Sequence, residues 1–301
     1  MSDARPVPPA ASAVGRWLLV GGRGMLGQDV EAALRAAGVQ PTVVGSPELD
    51  VRDAGACDAA VREHDVVVNC AAYTAVDDAE TDEPEAFAVN ALGAHHLALA
   101  CARHGARLVH VSTDYVFAGT AREPYAEDAP VAPRSAYGRT KLAGEWAVQA
   151  SGADALVVRT AWLYGAGGRC FPRTIAAALL QRDVLDVVAD QVGQPTWAAD
   201  VARVVLDLVR VHAPAGTYHA TSAGQATWHD LAQAVARATG ADPGRVRPTT
   251  SEQLVRPAPR PAYSVLGHDA LRAVGVEPIG PWQQRFEAAA PVVLGAEAVA
   301  P

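Results

Sequence analysis

Four apolar residues, Trp17 to Val20, run straight into Gly21-Gly22-Arg23-Gly24-Met25-Leu26-Gly27, and an amphipathic stretch follows through Ala37. A buried strand that turns through spaced glycines into a helix is a restrictive arrangement, because each glycine answers a different steric demand. Gly21 permits the tight turn, Gly24 lets backbone amides approach a pyrophosphate, and Gly27 lets the helix pack close to the strand. The helix N-terminus adds local positive potential. The unit reads as the opening of a parallel sheet that holds a dinucleotide, with Gly21, Arg23, Gly24, Met25, Leu26 and Gly27 as its cofactor loop.

Strand-like runs recur at Thr42 to Val44, Val66 to Asn69, Arg107 to Ser112 and Ala155 to Thr160, with helical stretches between them such as Glu83 to Arg103 and Ala136 to Ala150. The expected fold is α/β, a Rossmann-like doubly wound parallel sheet with a smaller C-terminal substrate-binding lobe. Residues 16–165 would form the dinucleotide-binding domain. Residues 166–290 would form mainly the lobe, with 197–220 as the segment able to return to the main domain. Within that half, Phe171 to Gln181, Trp197 to Val211 and Trp228 to Thr239 read as helices, Gly216 to Ala220 as a strand, and Arg256 to Pro261 as a loop. Residues 1–15 are small, Pro-rich and without an apolar core, which suits a flexible extension, and 291–301 read as a tail.

With 50% hydrophobic residues among 301, the chain can bury one large core and a satellite. A formal charge of -8 argues against a broad nucleic-acid or membrane surface, so any anionic ligand must be met locally. No run approaches the ~20 apolar residues of a membrane span. Cys57, Cys70, Cys101 and Cys170 are far apart and read as reduced thiols, which suits the cytoplasm.

Beyond the second strand stand Gly45-Ser46, where an NAD-selective site often carries a carboxylate for the ribose 2′-hydroxyl. With no carboxylate there and Arg23 in the loop to pair a 2′-phosphate, NADPH is favoured and NADH is the alternative. Asp50 and Val51 are placed for the adenine edge, and Ala71, Ala72 and Tyr73 for the rest of the cofactor path.

Tyr137 and Lys141 form a YxxxK pair on one helical face. A ketone accepting hydride develops negative charge on oxygen, and a tyrosine can deliver the proton if a neighbour tunes a pKa that is ordinarily about 10. The Lys141 ammonium would stabilise phenolate and hold the nicotinamide ribose. Ser112-Thr113-Asp114-Tyr115 closes the fourth strand at the sheet edge where ligands bind. Thr113 would bond the substrate oxygen and orient Tyr137, and Asp114 would accept from substrate hydroxyls.

These residues resemble the extended short-chain dehydrogenase/reductases, and more closely the dTDP-4-dehydrorhamnose reductase family. The resemblance runs through Asn69-Cys70-Ala71-Ala72-Tyr73-Thr74-Ala75-Val76-Asp77, Ser112 to Phe117, Tyr137 to Glu145, Arg159-Thr160-Ala161-Trp162-Leu163-Tyr164-Gly165, Gly193-Gln194-Pro195-Thr196 and Thr227-Trp228-His229-Asp230. It implies NADPH-dependent reduction of the 4-keto group of dTDP-4-dehydro-β-L-rhamnose to dTDP-L-rhamnose. Tyr137 would donate the proton, with Lys141 supporting it and Thr113 tuning it. Tyr115 and Trp162 would meet the substrate, and Arg260 its diphosphate. Two departures, Arg169-Cys170 where Asn commonly precedes Phe and Gln194 where Ala is usual, point to a changed sugar pocket. The same residues suit a related ketoreductase or synthase tailoring an antibiotic deoxysugar, such as dihydrostreptose. A non-catalytic cofactor-binding regulatory subunit is the reading from another class. Some members bridge a dimer through Mg2+; Asp29 lies near one such position, but Trp282 to Arg285 lacks a matching carboxylate, so no metal ligand is assigned and monomer or homodimer stays open.

Overall fold

The computed structural model describes residues 15–295. The expected N-terminal extension up to residue 14 and the tail from 296 lie outside the described residues.

Six strands form the main sheet: β1 (Trp17–Val20), β2 (Thr42–Val44), β3 (Val66–Asn69), β4 (Arg107–Thr113), β5 (Ala155–Thr160) and β6 (Gly216–His219). All pair in parallel, in the spatial order β2-β1-β3-β4-β5-β6. The Val-rich runs of β3 and β5 are buried along their whole length. A strand covered on both faces has no reason to alternate apolar and polar residues.

The helices in chain order are α1 (Met25–Ala36), α2 (Ala54–Val61), α3 (Glu83–Phe87), α4 (Gly93–His104), α5 (Ala136–Ala150), α6 (Phe171–Gln181), α7 (Ala198–Arg210), α8 (Trp228–Ala238), α9 (Asp269–Ala273) and α10 (Trp282–Leu294). One sheet face packs Leu19 and Leu156 against Val30 and Leu34 of α1 and Val201, Val205 and Leu208 of α7. The other packs Leu18, Val67 and Leu108 against Cys57 of α2, Leu97 and Cys101 of α4 and Val148 of α5. Each fully buried Leu or Val contributes ~1.5–3 kcal/mol. The sheet thus carries a separate apolar cluster on each face. All four cysteines are free thiols.

The stretch expected as one helix from Glu83 to Arg103 is α3 and α4 joined by a π turn, Ala88–Leu92. The second half of the chain divides between two places. Helix α7 and strand β6 return to the main sheet, β6 pairing with β5. A separate cluster joins Ile175 and Leu179 of α6, Leu231 and Val235 of α8, and Phe286 and Val293 of α10. Helix α10 continues to Leu294, beyond the point where the tail was expected to begin.

The chain leaves β1 towards β2 and then crosses back to β3 on the other side of β1. This reversal is the topological switch point of the sheet, and it opens a crevice at the carboxyl ends of the strands. The glycine loop lies in it.

Candidate active site

The glycine loop is shaped by its contacts. Gly21 has φ +74° and its missing Cβ would lie 2.5 Å from the Ala71 nitrogen. At Gly27 a Cβ would lie 2.4 Å from the Gly21 carbonyl oxygen, so only glycine lets α1 start this close to the turn. Gly24, the N-cap of α1, makes no side-chain cap bond, and the first turn of the helix holds no acid. A Cβ there would meet only the Gly21 oxygen, at 3.3 Å. The Gly24 N–H itself donates to the Gly21 oxygen at 3.0 Å, and the start of α1 that follows it faces the cleft, where a dinucleotide pyrophosphate fits.

Two adjoining clefts share Gly21, Gly24, Cys70 and Ala72. The outer one, 530 Å³, brings Arg23, Asp50, Val51, Ala71 and Tyr73 together. The inner one, 650 Å³, is lined by Met25, Leu26 and Gly27 on one side and by Thr113, Asp114, Tyr115, Tyr137, Lys141 and Trp162 on the other. Every expected site residue except Arg260 thus faces one continuous crevice.

Helix α5 is aimed by its start. The Ser135 hydroxyl caps the Gly138 N–H at 3.1 Å, and the Ala136 N–H donates to Glu80 Oε1 at 2.7 Å. Tyr137 packs edge-on against Tyr115, with ring centroids 5.5 Å apart. Burial raises its phenol to about 12, against the downward pull of the Thr113 hydroxyl, while the Asp114 charge raises it further. A phenol held there is fully protonated near neutrality, which is the state a proton donor requires. Lys141 is 2% exposed, and its Nζ donates to the Val111 carbonyl at 2.7 Å. Burial lowers its ammonium to about 8, opposed by Glu145 and Cys70. The ammonium is thus committed to the edge of β4. Of the neighbours, the Thr113 hydroxyl is the one that pulls the Tyr137 phenol down.

Thr113 Oγ1 donates to Asp114 Oδ1 at 3.0 Å and accepts from the Tyr115 N–H at 3.2 Å. Asp114 is 2% exposed and its Oδ2 has no partner. Burial lifts the carboxyl to about 6, against the pull of the Ser264 and Thr113 hydroxyls.

Trp162 has φ 45°, a left-handed conformation that costs a bulky residue ~1–3 kcal/mol. Its indole stacks on Trp228 at 3.6 Å between centroids and 5° between planes, and it covers Gly193. Trp228 is in turn fixed by a bond from Nε1 to Gln191 Oε1 at 3.1 Å. The stack over-determines the strained wall of the inner cleft.

Several expectations change. The strand end at Gly45 does hold a carboxylate: Glu48 folds back so that its Oε2 accepts from the Gly45 N–H at 2.9 Å, and it pairs with Arg23. Arg260 is not in the cleft wall; its Nη1 lies 2.9 Å from Asp77 Oδ1 and 3.0 Å from the Ala258 oxygen. Gln194 is buried away from the cleft, accepting from the Leu266 N–H at 2.8 Å and donating to the Leu266 oxygen at 3.1 Å. That departure is a stitch between segments, whereas Arg169 does line the inner cleft. Asn90 went unnoticed in the sequence. From the π turn it holds the Tyr73 N–H at 2.8 Å and the Thr140 hydroxyl at 3.0 Å, joining the cofactor path to α5.

Asp29 is a lone half-buried carboxylate whose Oδ2 has no partner, while Asp200 is held by Arg285 in two 2.8 Å bonds. Among the described residues no three His, Cys, Asp or Glu side chains gather as a metal site. Nor, among the described residues, is any helix long and apolar enough to cross a membrane.

A dinucleotide crevice flanked by Thr113, Tyr137 and Lys141 places the protein among the short-chain dehydrogenase/reductases. Residues 15–293 match the RmlD substrate binding domain family, and the chain belongs to that family. It is 53% identical over 287 residues to a probable dTDP-4,6-dihydroxy-2-methyloxan-3-one 4-ketoreductase of Streptomyces antibioticus, covering 94% of this chain and 97% of the relative. It is 48% identical to a dTDP-4-dehydrorhamnose reductase of Streptomyces griseus, covering 93% and 94%. A solved dTDP-4-dehydrorhamnose reductase of Bacillus anthracis in complex with NADP is 33% identical, with a TM-score of 0.88 over 91% of this chain and 98% of that one.

Proposed function

We propose that the protein reduces the 4-keto group of dTDP-4-dehydro-β-L-rhamnose to give dTDP-L-rhamnose, with NADPH as hydride source and NADH as the alternative. The observation that carries this reading is the single crevice in which the open glycine loop faces Thr113, Tyr137 and Lys141. A reduced nicotinamide bound along that crevice supplies hydride to the sugar carbon.

The chain's own residues handle the oxygen. The Tyr137 phenol, protonated because it is buried, donates its proton to the oxygen as negative charge develops. Thr113 hydrogen-bonds the same oxygen and steadies the phenol. Lys141, locked on the Val111 carbonyl, holds the nicotinamide ribose against β4. Asp114 accepts from sugar hydroxyls through its unpartnered oxygen, and Tyr115 and Trp162 wall the sugar. Arg260, paired with Asp77 outside the two clefts, would have to turn from that pair to meet the diphosphate.

A second reading, a 4-ketoreductase tailoring a related deoxysugar, is supported by Arg169 in the cleft wall and by the Streptomyces antibioticus relative. The test supplies enzymatically generated dTDP-4-dehydro-β-L-rhamnose with NADPH, follows loss of reduced-nicotinamide absorbance, and identifies the sugar by NMR. Rapid formation of dTDP-L-rhamnose supports the first reading; a ring-contracted or epimeric product supports the second, and cofactor binding without turnover of this sugar refutes the first.

A further inference from the structure

One turn beyond Lys141 on α5 stands Glu145, 1% exposed. It meets Arg159 of β5, 4% exposed, in two bonds, Nε to Oε1 at 2.9 Å and Nη2 to Oε2 at 2.7 Å. Tyr137, Lys141 and Glu145 follow one another at four-residue spacing and so share one helical face. Arg159 is the register partner of Ser112, next along β4 from the Val111 carbonyl that takes Lys141 Nζ at 2.7 Å. Two successive side chains of that face therefore fix α5 to two neighbouring strands. Around the guanidinium, Nη1 donates to the Glu127 carbonyl at 3.1 Å and lies 3.4 Å from His219 Nε2 of β6, and the Phe117 ring centroid is 5.0 Å from Cζ.

A buried ion pair of this kind is a weak device for stability, because stripping water from both charges offsets much of their attraction. Its position supplies another role. The groups that face the Lys141 ammonium from other elements are Cys70, after β3, and His110 of β4. Burial pushes the thiol up to about 12 and holds the imidazole well below its ordinary value, so both are neutral near pH 7. His219 is also neutral, held at about 3 by burial and the Arg159 charge. Among the described residues, the carboxylate facing the ammonium is that of Glu145.

We propose that Glu145, clamped by Arg159, is a positioning residue that keeps the Lys141 ammonium charged and seated in the wall of the inner cleft. The inference rests on the reading of Lys141 as the residue that holds the nicotinamide ribose. Of the three N–H groups on Nζ, one is taken by the Val111 carbonyl and two remain for ribose hydroxyls. A neutral amine would lose one donor and the charge.

Burial lowers Lys141 to about 8 against the pull of Glu145. Binding of the reduced cofactor should therefore weaken as pH rises through about 8 in the wild-type chain, and through about 7 once the carboxylate is gone. Glu145→Gln alone would strand the Arg159 charge in the core, and unfolding would mask the effect. The double variant Glu145→Met, Arg159→Met removes both charges at similar volume and should fold. Titrated with NADPH by cofactor fluorescence, it should bind within about twofold of wild type at pH ~6 and ~5–10-fold more weakly at pH ~8.5. Arg159→Lys, which keeps Glu145 and a cation, should retain the wild-type midpoint. A folded double variant with the wild-type pH profile overturns the proposal and leaves the pair a structural clamp. So does a double variant that cannot fold, because the core would then need the pair for itself. A flat wild-type profile, or Lys141→Met binding NADPH as wild type does, refutes instead the reading of Lys141 on which the proposal rests.

Discussion

Replacing Asp114 with Asn should stabilise the protein while removing its activity, and only within a defined pH range. The carboxyl is 2% exposed, and burial raises its pKa from 3.8 to about 6. In the unfolded chain the group ionises near its ordinary value. Below pH about 4 both states are protonated and the group contributes no difference. Between about 4 and 6 the unfolded chain releases the proton while the native state retains it, so stability falls as pH rises. Above that range the loss is complete. Two units at ~1.4 kcal/mol each set an upper bound of about 3 kcal/mol. Asn keeps an oxygen for the Thr113 hydroxyl, which donates to Asp114 at 3.0 Å, and carries no charge. The expected gain is ~1–3 kcal/mol at pH 8 and none at pH 3.5. Urea denaturation at the two pH values measures it, beside turnover of the keto sugar. A variant less stable than wild type at pH 8, or one whose advantage is the same at both pH values, would refute the account of Asp114 as a buried charge kept for its ligand.

Tyr137→Phe should lower kcat by ~10²–10⁴-fold with the Kd of the reduced cofactor unchanged, because the variant loses the proton but keeps the ring against Tyr115; near-normal turnover would remove Tyr137 as donor. Gln194→Ala should cost ~1–3 kcal/mol in urea denaturation by stranding the Leu266 N–H and carbonyl, with kcat within about twofold of wild type. A large change in kcat at unchanged stability would instead put Gln194 in the sugar site.

Much of the molecule was legible because its signals are local. The strands β1, β3 and β5 were visible as apolar runs, since a strand buried on both faces leaves a continuous apolar signature. The glycine spacing and the YxxxK pair were visible because a turn of the chain and one turn of helix are set by neighbours in sequence. Asn90 was not, because a buried amide bridging the Tyr73 loop to Thr140 of α5 has no periodic pattern. The break of the Glu83 to Arg103 helix at the π turn was hidden for the same reason.

The sequence by itself determined the class of sheet, the place of the glycine loop and the YxxxK pair that faces it. Tertiary structure alone decided what each charge does. Glu48, distant from any motif, folds onto Gly45 and captures Arg23. Arg260 turns to Asp77, Trp162 is pinned by Trp228, and Lys141 is spent on the Val111 carbonyl. The division has one physical cause: backbone conformation and burial periodicity are set over a few residues, whereas a side chain's partner and its pKa depend on which distant segments share its solvent-poor surroundings.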